Sequence, residues 1–421
     1  MKKILIISPH FPPSNLAAVH RSRLFAQHLP AFGWNPIILT VDEKYYEEKL
    51  DENLVKLLPQ QLRIEKAKAF RVTRPRLIGD IGLRGFAQLY KKAKRLIKAE
   101  AIDFLYIPIP SFYAALLGRM LHASTGIRYG IDYIDPWVHT FPDGASMRHK
   151  ASEAIANFLE PIAIKKASLI TGVAEGYYKG VEERNPYLKD TCIFGAMPYG
   201  GEKQDHEKVK QLAIKPYLFQ KNNKLQLVYA GAMLPKAYQP LEQIFSSIQN
   251  NRAAFENLEL HFIGTGKTPD DPNGFNIKPL AEKYNLWQTV VFEYPPRIPY
   301  MDVLVHLDAA DGVFILGSTE PHYTPSKVYQ GVLSGKPILA VLHKESSALQ
   351  VLNKTNAGVF YPLDPEHLDD LGASFAQLFK DYVAFAGNFT PSQVKQQELE
   401  TYSAFSVTKK LAELIDKAMA L

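Results

Sequence analysis

The sequence predicts an α/β protein built from two doubly wound, parallel-sheet domains of Rossmann-like type that face each other across a cleft. Three observations carry that expectation. Short apolar runs of strand length, rich in Ile, Leu and Val, alternate with longer amphipathic stretches. The alternation stops at residues 202–224, a polar segment rich in Lys and Gln, and then starts again. The chain has 421 residues, 46% hydrophobic and 22% charged, enough for two full cores. No fixed-period repeat of the kind that builds a solenoid is visible.

Taken in order, residues 3–8 read as a buried strand by length and β-branched content, and the turn Pro9-His-Phe-Pro-Pro13 follows. A helix over residues 15–29 places Leu24, Phe25 and Leu29 on one side, and Pro30 and Gly33 end it. Residues 36–40 form the next strand. Strand, helix, strand in that order predicts a parallel pair with a right-handed crossover.

Residues 61–100 differ in charge, with twelve basic residues against three acidic ones. Phe86, Leu89, Ala93 and Leu96 fall at helical spacing with lysines between them. The plain reading is a solvated helix face. The functional reading is a docking surface for an anionic membrane or a lipid diphosphate. Nucleic acid is not expected as a partner, because no aromatic-interleaved stripe or groove-reading motif accompanies the charge.

Strands resume at residues 103–107, 128–133 and 167–172. Asp135-Pro-Trp137 and His139 come just after the second of these, and open α/β sheets bind ligands at strand C-terminal ends. Asp135 and His139 are therefore the expected catalytic or ligand contacts, with a helix N-cap as the plain alternative for Asp135. Gly200 and Gly201 suit a turn with positive φ. A second series opens with a strand at residues 225–231. The next strand, 258–266, ends in Gly264 and Gly266, which let backbone approach a ligand. Another strand spans 311–316, the turn Asn356-Ala-Gly358 leads into a last one at 359–361, and a helix covers 406–420. The domains are expected over 1–215 and 216–399, with a terminal helical segment over 400–421.

The most informative stretch is Thr324-Pro-Ser-Lys-Val-Tyr-Gln-Gly-Val-Leu-Ser-Gly-Lys-Pro337. It reads as a short helix with Ser326 as N-cap, Gly335 as the C′ glycine and Pro337 as a stop. It follows an apolar strand, so its free N–H groups and the charge of Lys327 form an anion site. Gln330 lies on the same face one turn further in, at a spacing that suits the ribose of a nucleotide diphosphate.

Other features bound the class. A lone cysteine, Cys192, excludes an internal disulfide and a cysteine-only metal cage. Residues 1–8 are too short for a secretory signal and run into a Pro-rich loop, so a cytoplasmic location is expected. The longest apolar run, 104–118, is broken by Pro108 and Pro110 and is too short to span a bilayer.

The pattern Pro-Ser-Lys-x-x-x-Gly-x-x-x-Gly-Lys-Pro over 325–337 resembles the donor-site helix of retaining glycosyltransferases of family 4, which have the GT-B fold. Asp135-Pro-Trp137 resembles an Asp-Leu-Trp segment that faces the cleft in one branch of that family. The resemblance implies a nucleotide diphosphate sugar donor held by Thr324, Ser326, Lys327 and Gln330. It implies Lys236 as a diphosphate contact after the strand at 225–231, Gly264 beside the donor, and Arg297 in the loop whose backbone meets the base. It also implies that the final helix crosses back to the first domain. The acceptor would be a glycan or a lipid-linked sugar, and the reaction would retain the anomeric configuration. No Asp-x-Asp motif is present to tie a divalent ion to a diphosphate, so no metal and no cofactor are expected. Ala232, His322 and Gln330 stand where the family has an arginine and two glutamates. They keep two rivals open: a sugar-nucleotide epimerase of the same fold, and a nucleotide-sugar-binding protein without catalysis.

Overall fold

The computed structural model describes residues 1–421 apart from 74, 75, 77, 139–146, 269 and 322 and the side chain of residue 148. The chain divides into two compact units, Met1–Tyr199 with Ala404–Leu421, and Gly200–Ser403.

Among the described residues, the first unit holds a seven-stranded sheet in the order β3-β2-β1-β4-β5-β6-β7. Its strands are β1 (Lys2–Ile7), β2 (Trp34–Val41), β3 (Arg63–Ala67), β4 (Phe104–Ile109), β5 (Arg128–Tyr133), β6 (Leu169–Gly172) and β7 (Ile193–Ala196). All neighbouring pairs are parallel. Both faces are covered, as a parallel sheet requires. Side chains alternate along β1, so Leu5 and Ile7 enter one core with the helices Phe86–Glu100, Ala115–Thr125 and Met147–Ile164. Ile4 and Ile6 enter the other, with the helices Ala17–His28 and Ala404–Ala420. The last helix lies tight on β7: a Cβ added at Gly195 would come 2.4 Å from Leu414 Cδ1. Lys2 and Asp416 add an exposed ion pair of 2.8 Å.

β3 falls inside the basic stretch and carries no apolar run. It is an edge strand with Arg63, Glu65 and Lys66 along it, a composition that blunts edge pairing. That is why hydrophobic pattern alone passes over it.

A polar network crosses the core of this unit. Arg21 and Asp132 are fully buried and paired, with Nε to Oδ2 at 2.5 Å and a second nitrogen to Oδ1 at 3.1 Å. Arg21 also donates to the Pro198 carbonyl at 2.7 Å. Thr171 donates to Asp132 at 2.8 Å, and the Tyr106 hydroxyl meets Thr171 at 2.7 Å. Burial opposes the charge of Arg21, but Asp132 more than offsets it, and the guanidinium pKa lies above its ordinary value.

The second unit holds, among its described residues, a six-stranded sheet in the order β10-β9-β8-β11-β12-β13. The strands are β8 (Leu225–Ala230), β9 (Leu258–Ile263), β10 (Val291–Tyr294), β11 (Gly312–Leu316), β12 (Ile338–His343) and β13 (Gly358–Leu363), and all pairs are parallel. In each sheet the strand order reverses once, between β1 and β4 and between β8 and β11. Such switch points open a ligand crevice at the strand C-terminal ends. The polar stretch read as a connection contains a helix, Lys203–Gln211, that belongs to the second unit and packs on the helix Tyr300–Ala309. Its buried residues include Asp205, His206 and Val209, and the Tyr300 hydroxyl donates to Asp205 at 2.9 Å.

Candidate functional site

In the second unit the site grows from the β8–β11 switch point. Gly231, just past β8, has φ +112°, which glycine alone adopts at ease. The helix Lys327–Leu333 follows β11. A Cβ at Gly231 would come 3.0 Å from Lys327 Cε, so this glycine makes room for the lysine. The Lys327 ammonium lies 3.5 Å above the centre of the Tyr229 ring. Its stem is half-buried, but the nitrogen itself is shut off from solvent and has no hydrogen-bond partner among the described residues. Burial pushes its pKa well below the ordinary lysine value, and the Tyr229 ring face offers a cation–π attraction. Gly264 at the end of β9 completes the floor: a Cβ there would lie 3.8 Å from Arg297 Cα and 3.9 Å from Gly231 Cα.

The other expected donor residues are placed as follows. Ser326 stands at the N-cap position but is exposed and makes no side-chain cap bond, because its backbone is already helical. Thr324 is buried, with its hydroxyl 2.7 Å from that of Ser347 at the start of the next helix. Gln330 bonds His206 Nε2 through its amide oxygen at 2.9 Å. Gly201 lies against the same helix, since a Cβ there would meet Leu333 Cδ1 at 2.7 Å. Lys236 points elsewhere and forms an exposed ion pair with Glu320 at 3.1 Å. The Ala232 carbonyl accepts the Tyr229 hydroxyl at 3.0 Å, which fixes the ring under Lys327. So Lys327, Gly264 and Arg297 come together around Gly231, whereas Lys236 is held by its own partner. His322 lies outside the described residues.

In the first unit, Asp135 sits in the bend after β5, well before the helix Met147–Ile164, and so does not cap that helix. Its carboxyl is open to solvent yet crowded by protein, and that desolvation pushes its pKa up to about 6. Trp137 fixes the loop by stacking on Phe112 at 6.1 Å. His139 lies outside the described residues.

The β1 end carries a pair that pattern reading passed over. His10 Nδ1 lies 2.9 Å from Glu48 Oε1, and Ser14 donates to the same oxygen. Burial alone would raise the Glu48 pKa, but the bonds from His10 and Ser14 hold it at about 2. The His10 ring packs on Tyr46 at 4.8 Å, and the Tyr46 hydroxyl meets Phe11 N and Thr40. These residues come from the ends of two strands. A search of strand-end loops for His and carboxylates would have found them.

No family model and no curated protein matches the sequence. Solved structures do. A glycosyltransferase from Rickettsia africae matches with TM-score 0.64 and 14% identity, over 100% of this chain and 98% of that one. Sucrose-phosphate synthase from Thermosynechococcus elongatus matches with TM-score 0.65 and 13% identity, over the full length of both chains. Anabaena HepE in complex with UDP and glucose matches with TM-score 0.63 and 15% identity, over 99% of this chain and 100% of that one. The fold is GT-B. At such identities the likeness establishes the fold, and the site residues rest on the geometry above. Among the described residues, no helix is long and apolar enough to cross a membrane.

Proposed function

We propose that this protein is a retaining glycosyltransferase that moves a sugar from a nucleotide diphosphate donor to a hydroxyl of a glycan or lipid-linked acceptor. The observation that carries the reading is Lys327. A buried ammonium without a hydrogen-bond partner is costly, and it persists where an anion completes it. The leaving diphosphate gains negative charge in the transition state, and a fixed ammonium stabilises it without reorganising. Gly231 and Gly264 keep the backbone open beside it. HepE has been crystallised with UDP-glucose on the same fold, which supports a nucleotide-sugar donor here. Retention is supported by the likeness of residues 325–337 to the family 4 helix. Asp135 and His139 serve in this reading as acceptor contacts, and Lys236 would have to leave Glu320 to reach a phosphate. The reading places the enzyme in the cytoplasm, working at a membrane when the acceptor is lipid-linked.

The reading is tested by supplying nucleotide sugars with glycan and lipid-linked acceptors and assigning the anomeric configuration of the product by NMR. An inverted product, or an epimerised donor formed without acceptor, would refute it. Transfer is expected to proceed equally well in excess chelator, because Lys327 takes the place a divalent ion would hold. Loss of activity that magnesium or manganese restores would reject this donor site.

Gln330, held by His206, is assigned to the donor ribose. Gln330→Ala should weaken nucleotide binding by about 1–2 kcal/mol, the usual range for such bonds. Gln330→Glu should bind similarly or more tightly, since charge-assisted bonds are stronger. Calorimetric titration of UDP into the three proteins decides. If a folded Gln330→Ala protein binds as the parent does, the ribose lies elsewhere.

A further inference from the structure

The basic stretch 61–100 loses much of its free charge in the folded chain. Arg63, Lys66, Arg76, Arg84 and Lys92 each pair with a carboxylate. Lys91, Arg95 and Lys98 stay exposed and form no ion pair among the described residues. They fall at positions i, i+4 and i+7, one stripe of the helix Phe86–Glu100.

That helix lies next to Ala115–Thr125, which lies next to Met147–Ile164, all on one face of the first sheet. The third helix is unusual. Met147, Ile155, Phe158 and Ile162 are 83%, 45%, 70% and 42% exposed. With Ala151 they fall within one narrow stripe about 22 Å long, from the helical rise of 1.5 Å per residue. Met120 on the middle helix is exposed as well. Scattered single apolar side chains need no explanation, but an aligned row does. Among the described residues, none of this helix's exposed side chains is acidic. Its Glu160 is buried against Arg184 at 2.5 Å. Lys150, Lys165 and Lys166 flank the row instead.

We infer that this three-helix face docks on an anionic lipid surface, with the Ile155–Phe158–Ile162 row entering the headgroup boundary and Lys91, Arg95 and Lys98 meeting lipid phosphates. An apolar row whose exposed charged neighbours on its own helix are cationic, with Glu153 half-buried, matches the two layers of such a surface, acyl boundary below and negative charge above. A protein partner would need to supply an acidic rim around an apolar ridge, and a second copy of this cationic face cannot supply it. The inference concerns the first unit alone and does not depend on glycosyl transfer.

The test is co-sedimentation of the full chain with vesicles of phosphatidylcholine, with and without phosphatidylglycerol. Binding should be stronger to the anionic vesicles and should weaken with salt. The triple variant I155S/F158S/I162S should lose about tenfold or more in affinity for them, given the apolar area removed. The triple variant K91E/R95E/K98E should abolish the preference for anionic lipid. Both sets are surface changes, and unchanged circular dichroism and melting temperature confirm the fold. Equal weak binding to both vesicle types overturns the inference. So does parent-like binding by I155S/F158S/I162S, or a dimer in solution that this variant splits while no vesicle is bound.

Discussion

Asp132→Leu is expected to destabilise the first unit by about 3–5 kcal/mol, the cost of leaving one member of a buried pair uncompensated. Arg21 would remain fully buried with only the Pro198 carbonyl accepting from it among the described residues. Thr171 and Tyr106 would also lose the acceptor that anchors their chain of bonds. The double variant Arg21→Met with Asp132→Leu removes both charges and should recover most of the loss, because apolar replacements of similar volume cost little. Urea unfolding of the three proteins measures this, through the shift in midpoint at constant slope. A loss below about 1 kcal/mol for Asp132→Leu would show that water reaches the guanidinium, and that the network is not the closed core seen here.

Lys327→Met should have opposite effects on stability and on binding. Its stem keeps the shape of the lysine over Tyr229, while the unpaired buried ammonium is gone. Thermal stability is therefore expected to rise, as when a strained functional group is removed. Affinity for UDP should fall by about tenfold to a hundredfold, the equivalent of one lost charged hydrogen bond of roughly 1.5–3 kcal/mol. A linked effect follows from the depressed pKa in the free protein. A diphosphate favours the charged lysine, so binding takes up a proton. Affinity then falls as pH rises through the interval between the depressed value and the ordinary one. Titrations in two buffers of different ionisation heat report the proton directly. Unchanged affinity in Lys327→Met, with no proton uptake by the parent, would remove Lys327 from the donor site.

Much of the fold is written locally. The β1 and β8 runs are apolar on both faces, and helix ends carry Pro30, Gly33, Gly335 and Pro337, so strand and helix alternation follows from neighbours in the chain. The same holds for Lys327, because the Ser-Lys helix and the strand before it are contiguous. What local pattern cannot supply is partner identity. Edge strand β3 is held by its pairing with β2 and not by its own hydrophobicity. Arg21 reads as lying off the apolar side of Leu24, Phe25 and Leu29 in its helix, and only the order β1-β4-β5-β6 brings Asp132 beneath it. Lys327 reads as an open cation, and only the crossing from β8 to β11 places Tyr229 and Gly231 against it. His206 reads as part of a polar tether until it meets Gln330, more than a hundred residues later in the chain. Burial and charge compensation depend on which distant segments pack together, and the free energy of a charged group is set by that packing more than by its sequence neighbours.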